Sequence, residues 1–224
     1  MGIVLTTALV ELHDANVVHR DLKPSNVILH RASSGKVRAV LIDFGVSRLL
    51  HDSSEEDDMA EISTRGVAVG TIEYMAPEQI VPSGQITPAA DLYALGALVF
   101  RAVAGRHVFG AGLDRIELVR LKLTTEAPAL PTGRHDPVAQ GLAKVVARAL
   151  ARNPGARYQS AAELLTDLHH VRARMESTDC RIGVLAPASG RAPLAATVIS
   201  VVRTWIRGEY GAGSSSAPRL PGPG

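Results

Sequence analysis

Cysteine is nearly missing. One residue, Cys180, stands in a chain of 224, so no internal disulfide can form. A reducing compartment, the cytoplasm, is the expected setting. Aromatics are scarce, at 4% with a single tryptophan, so the core must be mainly aliphatic. Neither sign of charge is in excess: Lys and Arg number 24, Asp and Glu 22, and the formal net charge is +2. That balance gives no electrostatic case for a nucleic-acid partner. The longest apolar run, Leu194 to Ile206, is interrupted by Arg203. It falls short of the roughly 18 residues a membrane-spanning helix needs, so no membrane partner is expected. No basic stretch precedes Ile3-Val4-Leu5, so no signal peptide is read there. What is present is 46% hydrophobic and 21% charged, a globular balance, without internal repeats.

The informative residues lie in two short pieces. The first is His19-Arg20-Asp21-Leu22-Lys23-Pro24-Ser25-Asn26, followed by the aliphatic run Val27-Ile28-Leu29. The second is Asp43-Phe44-Gly45, preceded by Val40-Leu41-Ile42. β-Branched and aliphatic runs of that length read as strands. Two carboxylates, an ammonium and an amide in loops at their edges suit a site for magnesium and phosphate, because hard cations favour oxygen ligands.

Periodicity supplies the frame. Val4, Ala8, Leu9 and Leu12 share a helical face over residues 3–15, with Asn16 ending it and Val17-Val18 read as a short strand into His19. Residues 30–36 read as a hairpin turn, and Val37 to Phe44 as the returning strand. Residues 46–69 form a long polar stretch with an acidic run at 55–58. Thr87-Pro88 opens a helix, with Thr as N-cap and Pro in the first turn. Ala89 to Ala104 is apolar on nearly every side, as a buried helix should be, and Gly105 stops it. A weaker helix is expected between Leu113 and Leu123. Asp136-Pro137 starts another that runs to about Arg152. Ser160-Ala161-Ala162-Glu163 is a capping box opening a helix through about Met175. Beyond it Gly, Ala, Pro and Ser dominate, a composition that cannot offset its ordering entropy.

Taken together, these motifs resemble the eukaryotic-type serine/threonine protein kinases in their bacterial style. The H-R-D-L-x-x-x-N loop and the D-F-G motif match letter for letter. Gly70-Thr71 ahead of Ala76-Pro77-Glu78, the run Asp91 to Gly96, and Arg157 after Asn153-Pro154 agree. The resemblance implies a mainly α fold with a small β-hairpin (α+β), the large lobe of a kinase without the small lobe. It assigns residues 1–175 to that lobe and 176–224 to a largely disordered tail. It implies transfer of the ATP γ-phosphate to a protein Ser/Thr hydroxyl, with ATP and Mg2+ as cofactors. Asp21 would take or orient the hydroxyl proton and Lys23 would contact the phosphate. Asn26 and Asp43 would hold magnesium, while Ser25 would line the nucleotide and Ile28 would floor the adenine. Arg20 would pair a phosphate on the activation segment, with Ser63 and Thr64 as acceptors, and Thr71 would bridge toward Asp21 and Lys23. His19, Phe44, Glu78, Asp91 and Arg157 would be structural.

One departure from the family pattern is large. No G-x-G-x-x-G and no V-A-I-K occurs, and only 18 residues precede His19. A complete kinase places both upstream of the catalytic loop. The expectation is therefore weak ATP binding and little or no transfer by this chain alone. The alternative reading is a catalytically silent half-kinase that docks a partner or substrate as a regulatory module; a third is a small lobe supplied by another polypeptide.

Overall fold

The computed structural model describes residues 2–33, 37–43, 69–81, 86–131 and 136–181. Eight elements follow in order: α1 (Gly2–Asp14), β1 (Val27–Arg31), β2 (Val37–Leu41), α2 (Val69–Ile72), α3 (Pro88–Ala104), α4 (Arg115–Thr124), α5 (Pro137–Ala149) and α6 (Ala161–Arg181). The architecture is mainly α with one antiparallel hairpin, as the sequence predicted.

α3 is the centre. Thirteen of its residues are buried, from Ala89 round to Val103, which leaves no wet face and requires neighbours on all sides. Those neighbours are α1, α5 and α6. Leu5 and Leu9 of α1, Leu142 and Val146 of α5, and Leu164 and Leu168 of α6 join Leu92, Leu95 and Phe100 in one cluster. At Gly96 the approach is closest. A Cβ there would sit 2.9 Å from the Ala149 Cβ and 3.2 Å from the Leu150 Cγ, so only glycine fits without displacement. A second, smaller cluster joins Ile72, Met75, Ile80 and Leu118, tying α4 to the segment that follows α2.

Helix ends follow their side chains. Asp136 accepts from the N–H groups of Val138 and Ala139, and Asp114 from that of Glu117. Gly105 closes α3 in a left-handed conformation, φ 69°, which glycine adopts without strain. Thr87 occupies the N-cap position of α3, but its side chain makes no capping bond; Pro88 carries the start. In the Ser160 box, Ser160 accepts from the Glu163 N–H, while the Glu163 carboxylate accepts from Gln159 rather than Ser160.

The hairpin pairs Val27 with Leu41, Ile28 with Val40 and Leu29 with Ala39. Alternation puts Val27, Ala39 and Leu41 against the core. Ile28 and Val40 point outward, 50% and 47% exposed.

Several boundaries differ from expectation. Val17-Val18 is not a strand: His19 spends its N–H on the Asp91 carboxylate instead. β2 ends at Leu41, because Asn26, next in register opposite Ile42, spends its N–H on Lys23 and gives no return bond. α5 stops at Ala149, three residues early, where Leu150 leaves the helical conformation and Ala151 bonds back to Arg148 in a tighter turn. α6 runs on past Met175 to Arg181, helped by an i,i+4 pair between Arg172 and Glu176. α2 and three 3-10 turns at residues 24–26, 77–79 and 154–156 were not predicted; each of those turns opens on a proline. The turn at 34–36, Phe44, Ser63, Thr64 and the tail after 181 lie outside the described residues. Among the described residues no helix is long and apolar enough to cross a membrane.

Candidate active site

The site begins with a backbone problem. Arg20, between His19 and Asp21, has φ 65°, and Asp43 has φ 53°. Side-chain-bearing residues rarely adopt that left-handed region, and the cost of about 1–2 kcal/mol must be met by local contacts. At Arg20 the contacts are visible. The Asp91 carboxylate, 1% exposed on α3, accepts the N–H groups of His19 and Arg20, each at 2.8 Å. His13 at the end of α1 adds its Nε2 at 2.9 Å. One buried side chain thus ties the central helix to the loop.

His19 completes the turn. It is fully buried. Its Nε2 lies 3.1 Å from the carbonyl of Ile42, and its Nδ1 accepts the Asp21 N–H at 3.3 Å. Through these two contacts the ring spans the gap between the two motif-bearing segments.

Beyond this turn the functional side chains converge in part. Lys23 Nζ stands 2.8 Å from Asp21 Oδ2 and donates to Thr71 Oγ1 at 3.2 Å. Asn26, buried, donates its amide to the Asp21 carbonyl at 2.9 Å and to Asp21 Oδ2 at 3.1 Å. With its nitrogen committed, Asn26 uses its Oδ1 to accept from the Ser25 hydroxyl at 3.2 Å. Asp43 is exposed and joins through the backbone, since the N–H of its neighbour Ile42 donates to the carbonyl of Asn26 at 3.0 Å. Asp21, Lys23, Asn26 and Thr71 therefore form one hydrogen-bonded group, with Asp43 one residue beyond its edge. The donor set suits a hard cation: an amide oxygen with its nitrogen tied back, and an exposed carboxylate.

Ile28 lies on the outward face of the hairpin, beside Val40. The Arg20 guanidinium has no hydrogen-bond partner among the described residues. Its proposed phosphate acceptors are outside them.

Away from the loop, Arg157 and Glu78 meet in a two-pronged pair at 2.6 and 2.8 Å. Sequence reasoning missed three other contributors. Gln79 spans Arg20 and Ala76. The Tyr74 hydroxyl takes a bond from Arg101. Lys122 of α4 is buried, 1% exposed, and its Nζ reaches the carbonyls of Met75 at 2.8 Å and Glu73 at 3.2 Å, with the Tyr93 hydroxyl at 3.4 Å.

Burial pushes the Lys122 ammonium down to about 7, against the opposing pull of Glu73 and Glu78 and with help from Arg157. The neutral amine still fits: its N–H groups donate to the carbonyls of Met75 and Glu73. Between about 7 and the ordinary value of 10.5 the unfolded chain holds this proton and the folded chain does not. Folding stability therefore rises with pH across that window and is flat below it. Thermal unfolding of the parent and of Lys122→Met, run from pH 6 to 9, should show the parent gaining on the variant above pH 7. A difference that stays constant would refute this.

Fold and loop together point to a protein kinase domain. The model of the Protein kinase domain matches residues 3–169. Over 219 residues the chain is 33% identical to serine/threonine-protein kinase pkn2 of Myxococcus xanthus, covering 95% of this chain and 24% of that protein. It is 32% identical over 159 residues to serine/threonine-protein kinase PknB of Mycobacterium tuberculosis, covering 71% and 24%. With serine/threonine-protein kinase PknJ of the same organism it shares 34% over 156 residues, covering 70% and 25%. This chain belongs to the protein kinase family. It spans about a quarter of the length of the curated relatives it matches.

Proposed function

We propose that residues 1–175 supply the catalytic half of a phosphate-transfer site acting on a protein Ser or Thr hydroxyl, with ATP and Mg2+ as cofactors. The observation that carries this is the clasp of Lys23 Nζ on Asp21 Oδ2 at 2.8 Å and on Thr71 at 3.2 Å. It puts a base and a phosphate-binding cation in one group, held by Asn26. Asp21 orients the hydroxyl and takes up its proton. Lys23 stabilises charge on the transferred phosphate. Asn26 Oδ1 and the Asp43 carboxylate would hold the metal, whose chemistry is to neutralise phosphate charge as transfer proceeds. Ser25 would line the nucleotide beside Asn26, and Arg20 would await a phosphate on Ser63 or Thr64.

Residues 1–224 contain no glycine-rich loop. Transfer at full rate therefore requires that loop from elsewhere, on the same polypeptide or another. The outward pair Ile28 and Val40 fits both an adenine floor and the seat of a small lobe. The same pair favours the second reading, a silent module that docks a partner there.

The test joins residues 2–224 in frame behind the small lobe of a bacterial relative and measures transfer of labelled phosphate to a Ser/Thr protein, beside the chain alone. Transfer by the joined protein and little by the chain alone is expected. No transfer by a joined protein that binds ATP would favour the docking module.

A further inference from the structure

Gln79 does something the family motifs do not assign. It ends the 3-10 turn Pro77–Gln79, and both ends of its amide are used. Its Oε1 accepts the Ala76 N–H at 2.9 Å. Its Nε2 donates to the carbonyl of Arg20 at 2.7 Å, 59 residues away in sequence. That carbonyl belongs to the peptide joining Arg20 to Asp21.

The consequence is geometric. Arg20 is the left-handed residue, φ 65°. Its leading peptide is pinned by the Asp91 carboxylate at the Arg20 N–H. Its trailing peptide is pinned by Gln79 at the carbonyl and, more loosely, by His19 Nδ1 at the Asp21 N–H, 3.3 Å. A strained residue persists only where its surroundings over-determine it, and here the planes on either side are fixed from α3 and from the turn at 77–79. Without Gln79 the Arg20–Asp21 plane keeps only the longer His19 bond, and any rotation of it carries the Asp21 side chain along.

We propose that Gln79 is a positioning residue for Asp21, acting through the Arg20 carbonyl, so that the turn carrying Glu78 sets the aim of the catalytic loop. This deepens the kinase reading and rests on it only for the statement that Asp21 is the base. The clamp itself is independent of any activity.

Amide hydrogen exchange on the full chain tests it, with Gln79→Leu and Gln79→Glu beside the parent. Loss of one hydrogen bond of ordinary net strength predicts about 2- to 10-fold faster exchange at His19, Arg20 and Asp21, with α3 amides unchanged. Gln79→Glu keeps the acceptor for Ala76, so it guards against a simple failure to fold. At pH 7.5 its carboxylate cannot donate, and the loop should loosen as in Gln79→Leu. At pH 5 the new carboxyl takes a proton and can donate to Arg20 again. The carboxylates of Asp21 and Asp91, which line the same small cleft, favour that protonation, as does neighbouring Glu78, while Arg20, which also lines it, opposes it. The ratio of variant to parent exchange, compared at each pH, should then return toward one.

Unchanged loop exchange in Gln79→Leu would overturn the proposal. So would equal loosening of α3 and loop, or a Gln79→Glu ratio that ignores pH. If the clamp behaves as expected while Asp21→Asn leaves transfer by the joined protein intact, the kinase assignment of Asp21 fails and the clamp stands.

Discussion

Replacing Asp21 with asparagine should lower phosphate transfer by the joined protein about 10²- to 10⁴-fold, the usual range for a positioned general base, and should leave the fold almost unchanged. The two halves of that expectation come from the same geometry. Asp21 Oδ2 meets Lys23 Nζ and the Asn26 amide, so asparagine keeps the shape but loses the charge and the basicity. The Asp21 and Lys23 side chains are each 24% exposed, so an unpaired ammonium would be hydrated rather than stranded. A partly exposed pair of this kind contributes on the order of 0–1 kcal/mol. Transfer rates and a denaturant titration on the same preparation check both parts. Undiminished transfer would remove Asp21 from the chemistry, and a large loss of stability would make it a structural residue.

The largest loss of stability should come from Arg157→Met. The Arg157 side chain is fully buried, and all five of its N–H groups are placed. Two go to the Glu78 carboxylate at 2.6 and 2.8 Å, and the others to the carbonyls of Ala151, Ala89 and Arg152 at 2.7 to 3.1 Å. Methionine fills the volume and satisfies none of these. Glu78, 15% exposed at its side chain, would keep a charge with no partner. Removing one member of such a pair costs about 3–5 kcal/mol, a large share of the roughly 5–15 kcal/mol that holds a domain together. Arg157→Lys should recover little, because an ammonium offers three donors and no fork. Adding Glu78→Gln to Arg157→Met should recover more, because the stranded charge goes with it. Denaturant unfolding of the four proteins gives the ordering. A double variant as unstable as the single one would shift the cost from charge to packing.

The helices were legible where apolar spacing and a terminal signal coincided, as at Pro88 to Gly105 and from Asp136. The catalytic loop was legible because its polar residues are fixed in type and spacing. The missed residues share a cause. Lys122 sits in a short helix whose pattern reads as exposed, and lysine is rarely buried unless paired. Its partners are the carbonyls of Glu73 and Met75, and backbone acceptors leave no mark in a sequence. Gln79 is hidden for the same reason, since it serves the carbonyl of Arg20 and the N–H of Ala76. Val17-Val18 has strand-like side chains, but Asp91, more than seventy residues later, takes the next N–H groups. A proline after an extended residue at 24, 77 and 154 was the available signal for the three short turns.

The bare hydrogen at Gly96 governs more than helix spacing. The neighbours it admits, Ala149 and Leu150, lead directly into Ala151 and Arg152, whose carbonyls Arg157 grips. A methyl at 96 would act as a wedge at the end of α5, and the push would arrive first at the seat of the guanidinium and next at Glu78. From there one residue leads to Gln79 and across to Arg20. The buried helix contact at Gly96 and the loop at the surface are thereby links of a single mechanical chain.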